Sequence, residues 1–463
     1  MDPPQPPPPP PPPPASTSHL PPHARITVCL TTSPIQSHPS TEILEQVLSS
    51  FRLAPGLETA DRVVVFDGWR PLVAGLADQP KSGKISEETG RGYREYCERA
   101  GCLLIADLPA VEEGGEGEEE GGEAVEQEKA GAVLGGGKAE AGDETATEAA
   151  PSSPTFSTCP PSSSTTPLWR SRLPPGYTLT ETHQAFKTGA QSSCTVRLIT
   201  IATRFRTPLR MLFMSDRVGF ALAVRSSLDH VGTPYVMVVQ HDWRFSRPVD
   251  LGAILNAMER DRDEIKYVGF VSRRIVGYAD RKGRRQFLPP SKVEEGRYDI
   301  PLTRLFFWFD KNHIAETDHY RNFVFSQGRF QRGDFIEDTF GQSQLTDIKR
   351  RTQAEGLAAH ARYGTFLYYP ADGQLSHITH LNGRKYLTEE GRKGLFGMGK
   401  RMKGKGRARE PWKRVGGSEA GSEVGSEFGS GRGSSVGGEE DRSESGDEAE
   451  GLYGFEGGGE EQD

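Results

Sequence analysis

Apolar residues in this chain come in short, nearly unbroken runs separated by polar loops. The run "RITVCLTT", Arg25 to Thr32, is followed by the loop "SPIQSHPS". Beyond it Ile43, Leu44, Val47, Leu48 and Phe51 fall on one helical face. Ser40 stands where a helix cap belongs, and Glu42 occupies the first turn, where the helix dipole favours negative charge. "DRVVVFDGWR" then predicts a strand ending in Asp67-Gly68. Strand, helix and strand at these spacings predict a parallel βαβ unit. Continuous rather than alternating apolar strands imply that both faces of the sheet are covered.

A second block repeats the logic. After the strand "VRLITIA", Phe220, Val224, Leu228 and Val231 stand at helical spacing, and Gly232-Thr233-Pro234 stops that helix. The strand "YVMVV" follows and delivers Gln240, His241 and Asp242 directly at its end. Asp250 caps a helix through Leu251, Ile254, Leu255 and Met258, and "IKYVGFV" predicts a strand. "RLFFWFD" reads as a strand, "HIAETDHYRNFVF" as a short helix, and "QLSHITHLNGR" as a loop. The expected fold class is α/β, with one domain built on a mostly parallel, mixed sheet.

Composition sets the limits of that domain. The 463 residues include 54 glycines and 34 prolines, concentrated in three stretches. Residues 1–24 are a near-pure proline run of polyproline II type. Residues 111–166 are acidic and glycine-rich, then rich in Ser and Pro, and residues 390–463 run from basic to acidic with "GSE" repeats. None has the apolar content to offset chain entropy, so all three are expected to be disordered. The ordered domain is then 25–110 joined to 167–389. Together these make roughly 300 residues, a size one α/β domain can fill.

Charge and cysteine usage narrow the class further. The net charge of −8 is carried largely by the insert and tail, and the short basic segment Lys400 to Arg414 reads as a solvated tail, so no nucleic-acid partner is expected. The five cysteines lack metal-site spacing and read as reduced thiols. With no apolar run of membrane-spanning length and no signal-peptide pattern at the N-terminus, a cytoplasmic protein without a membrane span is expected.

A carboxylate and an imidazole directly off a core strand raise the question of a site, because open α/β sheets bind ligands at the carboxyl ends of their strands. The order of features resembles a GT-A-type glycosyltransferase of the family-2-like group. That group has a strand, a nucleotide-holding loop and helix, and a second strand ending in an aspartate. A helix, a small-residue turn, an aromatic-led strand and an Asp-x-Asp motif come later. "GFALAVRSSLDHVGTPYVMVVQHD" tracks this pattern, and "QRGDFIEDTFGQSQL" supplies the Glu-Asp pair that opens a later helix. The resemblance covers both ordered blocks.

The resemblance implies a nucleotide-diphosphate sugar as donor, with Thr31, Thr32, Asp67 and Arg225 on the nucleotide. It implies Mn²⁺ or Mg²⁺ near Asp242, and Glu337 with Asp338 as the catalytic carboxylates, Asp338 as base. The chemistry needs these residue types independently: a cation offsets the charge growing on a leaving diphosphate, and the attacking hydroxyl must lose its proton to a base. The chain departs from the pattern at Gln240, which stands where the first acid of Asp-x-Asp belongs. His241, His377 and His380 are candidate replacement ligands. The missing acid leaves weaker metal binding, a metal-independent enzyme or a lost activity as alternatives.

Simpler roles exist for each residue. Asp242 would also serve as a strand-end cap, Asp338 as a helix N-terminal carboxylate and Asp67 as part of an Asp-Gly turn. The leading expectation is a sugar transferase acting on an unknown acceptor hydroxyl. The alternative is a catalytically inactive GT-A-like scaffold that uses its tails for partners. A nucleotidyltransferase is disfavoured because "TTSPIQSHPS" holds no glycine for a phosphate loop.

Overall fold

The computed structural model describes residues 17, 19–72, 78, 83–109, 167–189, 192–280, 288–327, 330–383 and 386. The expected insert 111–166, the tail 390–463 and most of residues 1–24 lie outside the described residues. In chain order the strands are β1 (Ile26–Thr32), β2 (Asp61–Phe66), β3 (Arg70–Pro71), β4 (Lys84–Ile85), β5 (Thr178–Lys187), β6 (Ser193–Ala202) and β7 (Leu209–Met214). They continue with β8 (Tyr235–Gln240), β9 (Trp243–Phe245), β10 (Tyr267–Phe270), β11 (Leu302–Arg304), β12 (His313–Glu316), β13 (Thr365–Tyr368) and β14 (Ile378–His380).

Ten of these strands form one sheet in the order β11-β13-β10-β12-β8-β1-β2-β7-β6-β5. Its centre, β8-β1-β2-β7, is parallel throughout. Antiparallel ladders to β12 and β6 bound that centre, so β1, β2, β5, β7, β8, β10 and β13 all point one way. The mostly parallel α/β sheet expected from the apolar runs is therefore present.

Helices cover both faces, which explains why the central strands are apolar on both sides. All seven residues of β1 are buried. Ile26, Val28 and Leu30 pack toward the helices Glu42–Ser49, Glu87–Ala106 and Leu251–Arg260, through Leu44, Tyr96 and Ile254 among others. Cys29 points the other way, into the core shared with the helix Phe220–Leu228, Trp308 and Ile348. Ser40 is not the cap of the helix Glu42–Ser49, whose N-cap is Thr41 and makes no side-chain cap bond. Two other caps follow their chemistry. The Asp250 carboxylate accepts the Ala253 N–H at 2.9 Å, and the Ser86 hydroxyl accepts the Thr89 N–H at 3.2 Å.

Three expectations about local structure are corrected. Of "RLFFWFD", Arg304 to Asp310, only Arg304 is in the sheet, as the last residue of β11; Phe306, Trp308 and Phe309 leave it and bury their rings in the second core. "HIAE" is a buried strand squeezed between β10 and β8, with the helical turns starting only at Thr317. "QLSHITHLNGR" is not all loop, because Ile378–His380 pairs antiparallel with β9. In each case pairing or ring burial overrides local propensity.

Candidate active site

From β1 the chain adds β2, runs out to the edge strand β5 and back through β6 to β7 on the same flank, then places β8 on the other flank of β1. The carboxyl ends of β1 and β8 therefore flank a topological switch point, where such sheets bind ligands. A cleft enclosing about 100 Å³ opens there. Its walls come from Thr31 and Thr32 at the end of β1, Asp67 after β2, Arg217 before the helix Phe220–Leu228, and Gln240 to Asp242 after β8.

Asp242 is held from one direction. His380 Nε2 lies 2.9 Å from Asp242 Oδ2, and the Leu381 N–H donates to the Asp242 carbonyl at 2.7 Å. Both contacts follow from β14 pairing with β9, which sets His380 opposite Trp243 and stacks the two rings with centroids 4.8 Å apart. Gly383 closes in behind them, since a Cβ there would stand 3.0 Å from Asp242 Oδ2 and 3.5 Å from His241 Nε2. Burial pushes the Asp242 carboxyl up, but the His380 hydrogen bond, the neighbouring imidazoles and the Gly383 N–H outweigh it, and the net shift is downward.

His241 lines the same cleft despite the alternation expected of an extended segment, because the strand ends at Gln240. Its backbone N–H donates to the Thr31 carbonyl at 3.0 Å. Burial, opposed by the Asp242 charge, holds its imidazole below the ordinary range. Thr32 Oγ1, His241 Nε2 and Asp242 Oδ1 are all buried without a hydrogen-bond partner. Buried polar atoms are ordinarily paired, so three orphans around one cleft point to a polar ligand.

Gln240 has a role that the motif did not foretell. Its Nε2 donates to the Asp310 carbonyl at 2.9 Å. Asp310 in turn exchanges bonds with Glu337. The Asp310 N–H donates to Glu337 Oε2 and the Glu337 N–H to Asp310 Oδ1, each at 3.2 Å. Burial, then the neighbouring Glu337 charge, pushes the Asp310 carboxyl well above the usual carboxylate range. Glu337 and Asp338 open a π-helical turn, Glu337–Gly341, that leads into the helix Gln342–Glu355. Burial raises the Asp338 carboxyl, and the Asp334 charge adds to this.

Thr31, Thr32, Asp67, His241 and Asp242 thus share one cleft, with His380 on Asp242. Asp338 stands three residues past Phe335, which lines the same cleft, and the Asp334 carbonyl ties this segment to the Ala221 N–H at 3.1 Å. Glu337 and Asp338 themselves are not among the residues lining the cleft, and two further expected residues are elsewhere. Arg225 borders a separate hollow of about 500 Å³, its guanidinium 4.8 Å over the Phe186 ring. His377 is buried with its ring edge-on to Tyr368, and its backbone bonds Val271 and Ser246. Among the described residues no three His, Cys, Asp or Glu side chains are grouped to hold a metal ion.

Asp67 is 4% exposed and accepts the backbone N–H groups of Val218 at 2.7 Å and Gly219 at 3.1 Å. Burial raises its carboxyl, opposed by Arg217 and these N–H groups. Sequence reasoning missed Asp310 and Arg217. Both owe their positions to pairing between distant segments, and neither sits in a readable motif.

No family model matches the chain, and no curated protein matches it. Among solved structures it is similar to mannosyltransferase PcManGT from Pyrobaculum calidifontis in complex with GDP-Man and Mn²⁺, at 11% identity and a TM-score of 0.29. The match covers 76% of this chain and spans 58% of that protein's chain.

Proposed function

We propose that this protein is a glycosyltransferase that moves a sugar from a nucleotide-diphosphate sugar to an acceptor hydroxyl. The observation that carries the reading is the trio of buried, partnerless polar atoms of Thr32, His241 and Asp242 at the switch point of the sheet. A donor seated there would lie with its nucleotide along the end of β1. Asp67 has its carboxylate at that cleft and keeps lone pairs for a ribose hydroxyl or base. The diphosphate would then face Asp242.

The donor set fits a divalent cation only in part. Asp242 Oδ1 is free of protein partners, and the His380 imidazole stands against the other oxygen, so two protein ligands are at hand. Asp242 and His380 would hold Mn²⁺ or Mg²⁺ together with donor phosphate oxygens, an arrangement suited to these ions. The bound cation would offset charge on the leaving diphosphate. Asp338 would take the proton of the acceptor hydroxyl as its oxygen attacks the anomeric carbon in line, inverting that centre. The raised carboxyl suits this role, since a base works best with its pKa near the operating pH. Glu337, tied to Asp310 on both sides, would hold the turn that presents Asp338.

A second reading is a binding protein of the same fold without turnover. The Gln240 carboxamide favours it, because it occupies an acid's place and is committed to the Asp310 carbonyl. Incubation with a panel of nucleotide sugars, followed by detection of released nucleoside diphosphate, separates the two. Release that disappears in Asp338→Asn supports the transferase. Tight donor binding with no release under any condition leaves the binding protein.

A further inference from the structure

We propose that the hollow bordered by Lys187 and Arg225 is a second binding site of this protein, taking a phosphomonoester joined to an apolar body. The inference does not depend on the nucleotide-sugar reading. The helix Phe220–Leu228 serves both sites: Phe220 and Ala223 line the cleft, whereas Arg225, in its last turn, and Leu228 line the hollow. At about 500 Å³ the hollow falls within the roughly 300–1,000 Å³ of small-molecule sites.

Its charge is unbalanced. Lys187, Arg225 and Arg321 line the hollow, and Asp229 is the one carboxylate on the same wall among the described residues. Arg321 is committed, since its guanidinium donates to the carbonyls of Leu228 and Val231. Those bonds cover the carbonyl end of the helix, which would otherwise repel an anion. Arg225 is different. Its Nη2 donates to the Lys187 carbonyl, and among the described residues no protein acceptor takes its other N–H groups. Neither Lys187 nor Arg225 makes an ion pair among the described residues. Burial lowers the Arg225 guanidinium, and the Asp229 charge opposes this without restoring it. Charges taken out of water are ordinarily paired, so this half-buried arginine calls for an anion from outside the chain.

The surroundings select the anion. The Arg225 guanidinium lies 4.8 Å over the Phe186 ring, which supports it from one side. Its fork of N–H donors matches phosphate oxygens two at a time. A phosphomonoester carries about −1.5 to −2 charge at pH 7, enough to answer Lys187 and Arg225 together, where a carboxylate answers one. Phe186, Leu228 and Phe325 give the hollow an apolar wall. Phe325 is held in place by Tyr320 and Phe330, with ring centroids 5.4 and 5.1 Å away.

The test is calorimetry on the full chain with phenyl phosphate, inorganic phosphate and benzoate, for wild type, Arg225→Gln and Lys187→Gln. Wild type should bind phenyl phosphate more tightly than either other probe. Each variant should weaken that binding about tenfold, the worth of one charge-assisted contact. Lys187 is exposed, so its variant carries the test if Arg225→Gln fails to fold. Co-sedimentation with vesicles containing phosphatidic acid, lost in Lys187→Gln, would identify the phosphate as that of a lipid headgroup. Phenyl phosphate binding without co-sedimentation identifies a soluble phosphate ester. Benzoate bound as tightly as phenyl phosphate, affinity unchanged in both variants, or no binding of phenyl phosphate by wild type overturns the proposal.

Discussion

His380 Nε2 and Asp242 Oδ2 meet at 2.9 Å across 138 residues of chain. The contact joins the end of the central strand β8 to the last strand described, and it accounts for the lowered Asp242 carboxyl. Asp242→Asn keeps size and hydrogen bonding but removes the charge. The Mn²⁺-dependent part of nucleotide affinity should fall tenfold to a hundredfold, the equivalent of losing about 1.5–3 kcal/mol from one charge-assisted contact. Calorimetry with and without Mn²⁺ checks this; wild-type affinity in both conditions would reduce Asp242 to a strand cap.

Gln240→Asp would restore the acid of the motif, yet the structure argues against a gain. The substitution removes the donor that satisfies the Asp310 carbonyl and brings a carboxylate toward Asp310 and Glu337. An unsatisfied acceptor costs about 1–3 kcal/mol. Urea unfolding should show a loss of that size, and an unchanged midpoint would show that the Gln240 contact is dispensable.

Gly219→Ala should be among the most damaging single-atom changes near the cleft. Gly219 has φ +83°, in the left-handed region, and a Cβ there would lie 2.5 Å from Gly333 Cα. Strain and collision act together at the residue whose N–H bonds Asp67. The thermal midpoint should drop by several degrees, with nucleotide affinity falling alongside; Gly252→Ala, where the nearest atoms are at 3.6 Å, serves as the tolerant control.

Acid should weaken the fold through its buried histidines. Burial lowers His313, His319 and His360 to about 4. Their unfolded value is about 6.5, so below that pH the unfolded chain binds protons that the folded chain refuses. The stability is whole above pH 6.5 and is lost as pH falls toward 4, at up to about 1.4 kcal/mol per pH unit for each histidine. His313→Asn keeps a donor for the Lys311 carbonyl but does not titrate, so it should flatten this acid limb. Urea midpoints from pH 7 to pH 4.5 report it. The raised Asp310 carboxyl works in the opposite direction, so the difference between variant and wild type is the quantity to compare.

Replacing residues 111–166 with a short Gly/Ser linker should leave the melting temperature nearly unchanged. The two ends of that segment are tied together: the Tyr177 hydroxyl donates to the Pro109 carbonyl at 2.7 Å, and the fully buried Trp169 packs against Gly101. Loop-closure entropy changes slowly with length, so a shorter bridge between joined ends costs little. A drop of ten degrees or more would mean that the segment contributes to the core.

The central sheet was legible because β1, β2 and β8 are buried on both faces and so write unbroken apolar runs. β5 was not, because "TLTETHQAFK" is a largely exposed edge strand held by backbone pairing to β6, with little apolar signal to read. β12 was misread because four residues of strand run directly into helical turns, and only the neighbours β8 and β10 decide its conformation. The same limit applies to the cleft. Asp67 and Asp242 follow readable strands, whereas the contacts of Arg217 with Asp67 and of Asp310 with Gln240 and Glu337 arise from crossovers between segments far apart in sequence.

The pairing of β14 with β9 also has a consequence for how the molecule is made. Thr31 leaves the ribosome early, but His380 and Gly383, which close on Asp242, emerge some 350 residues later. During synthesis the sheet centre β8-β1-β2-β7 has all its strands long before the cleft has its last wall. A nascent chain arrested after β8 would carry the switch point with Asp242 still uncovered. Closure around Asp242 therefore waits on one of the last described segments to be translated.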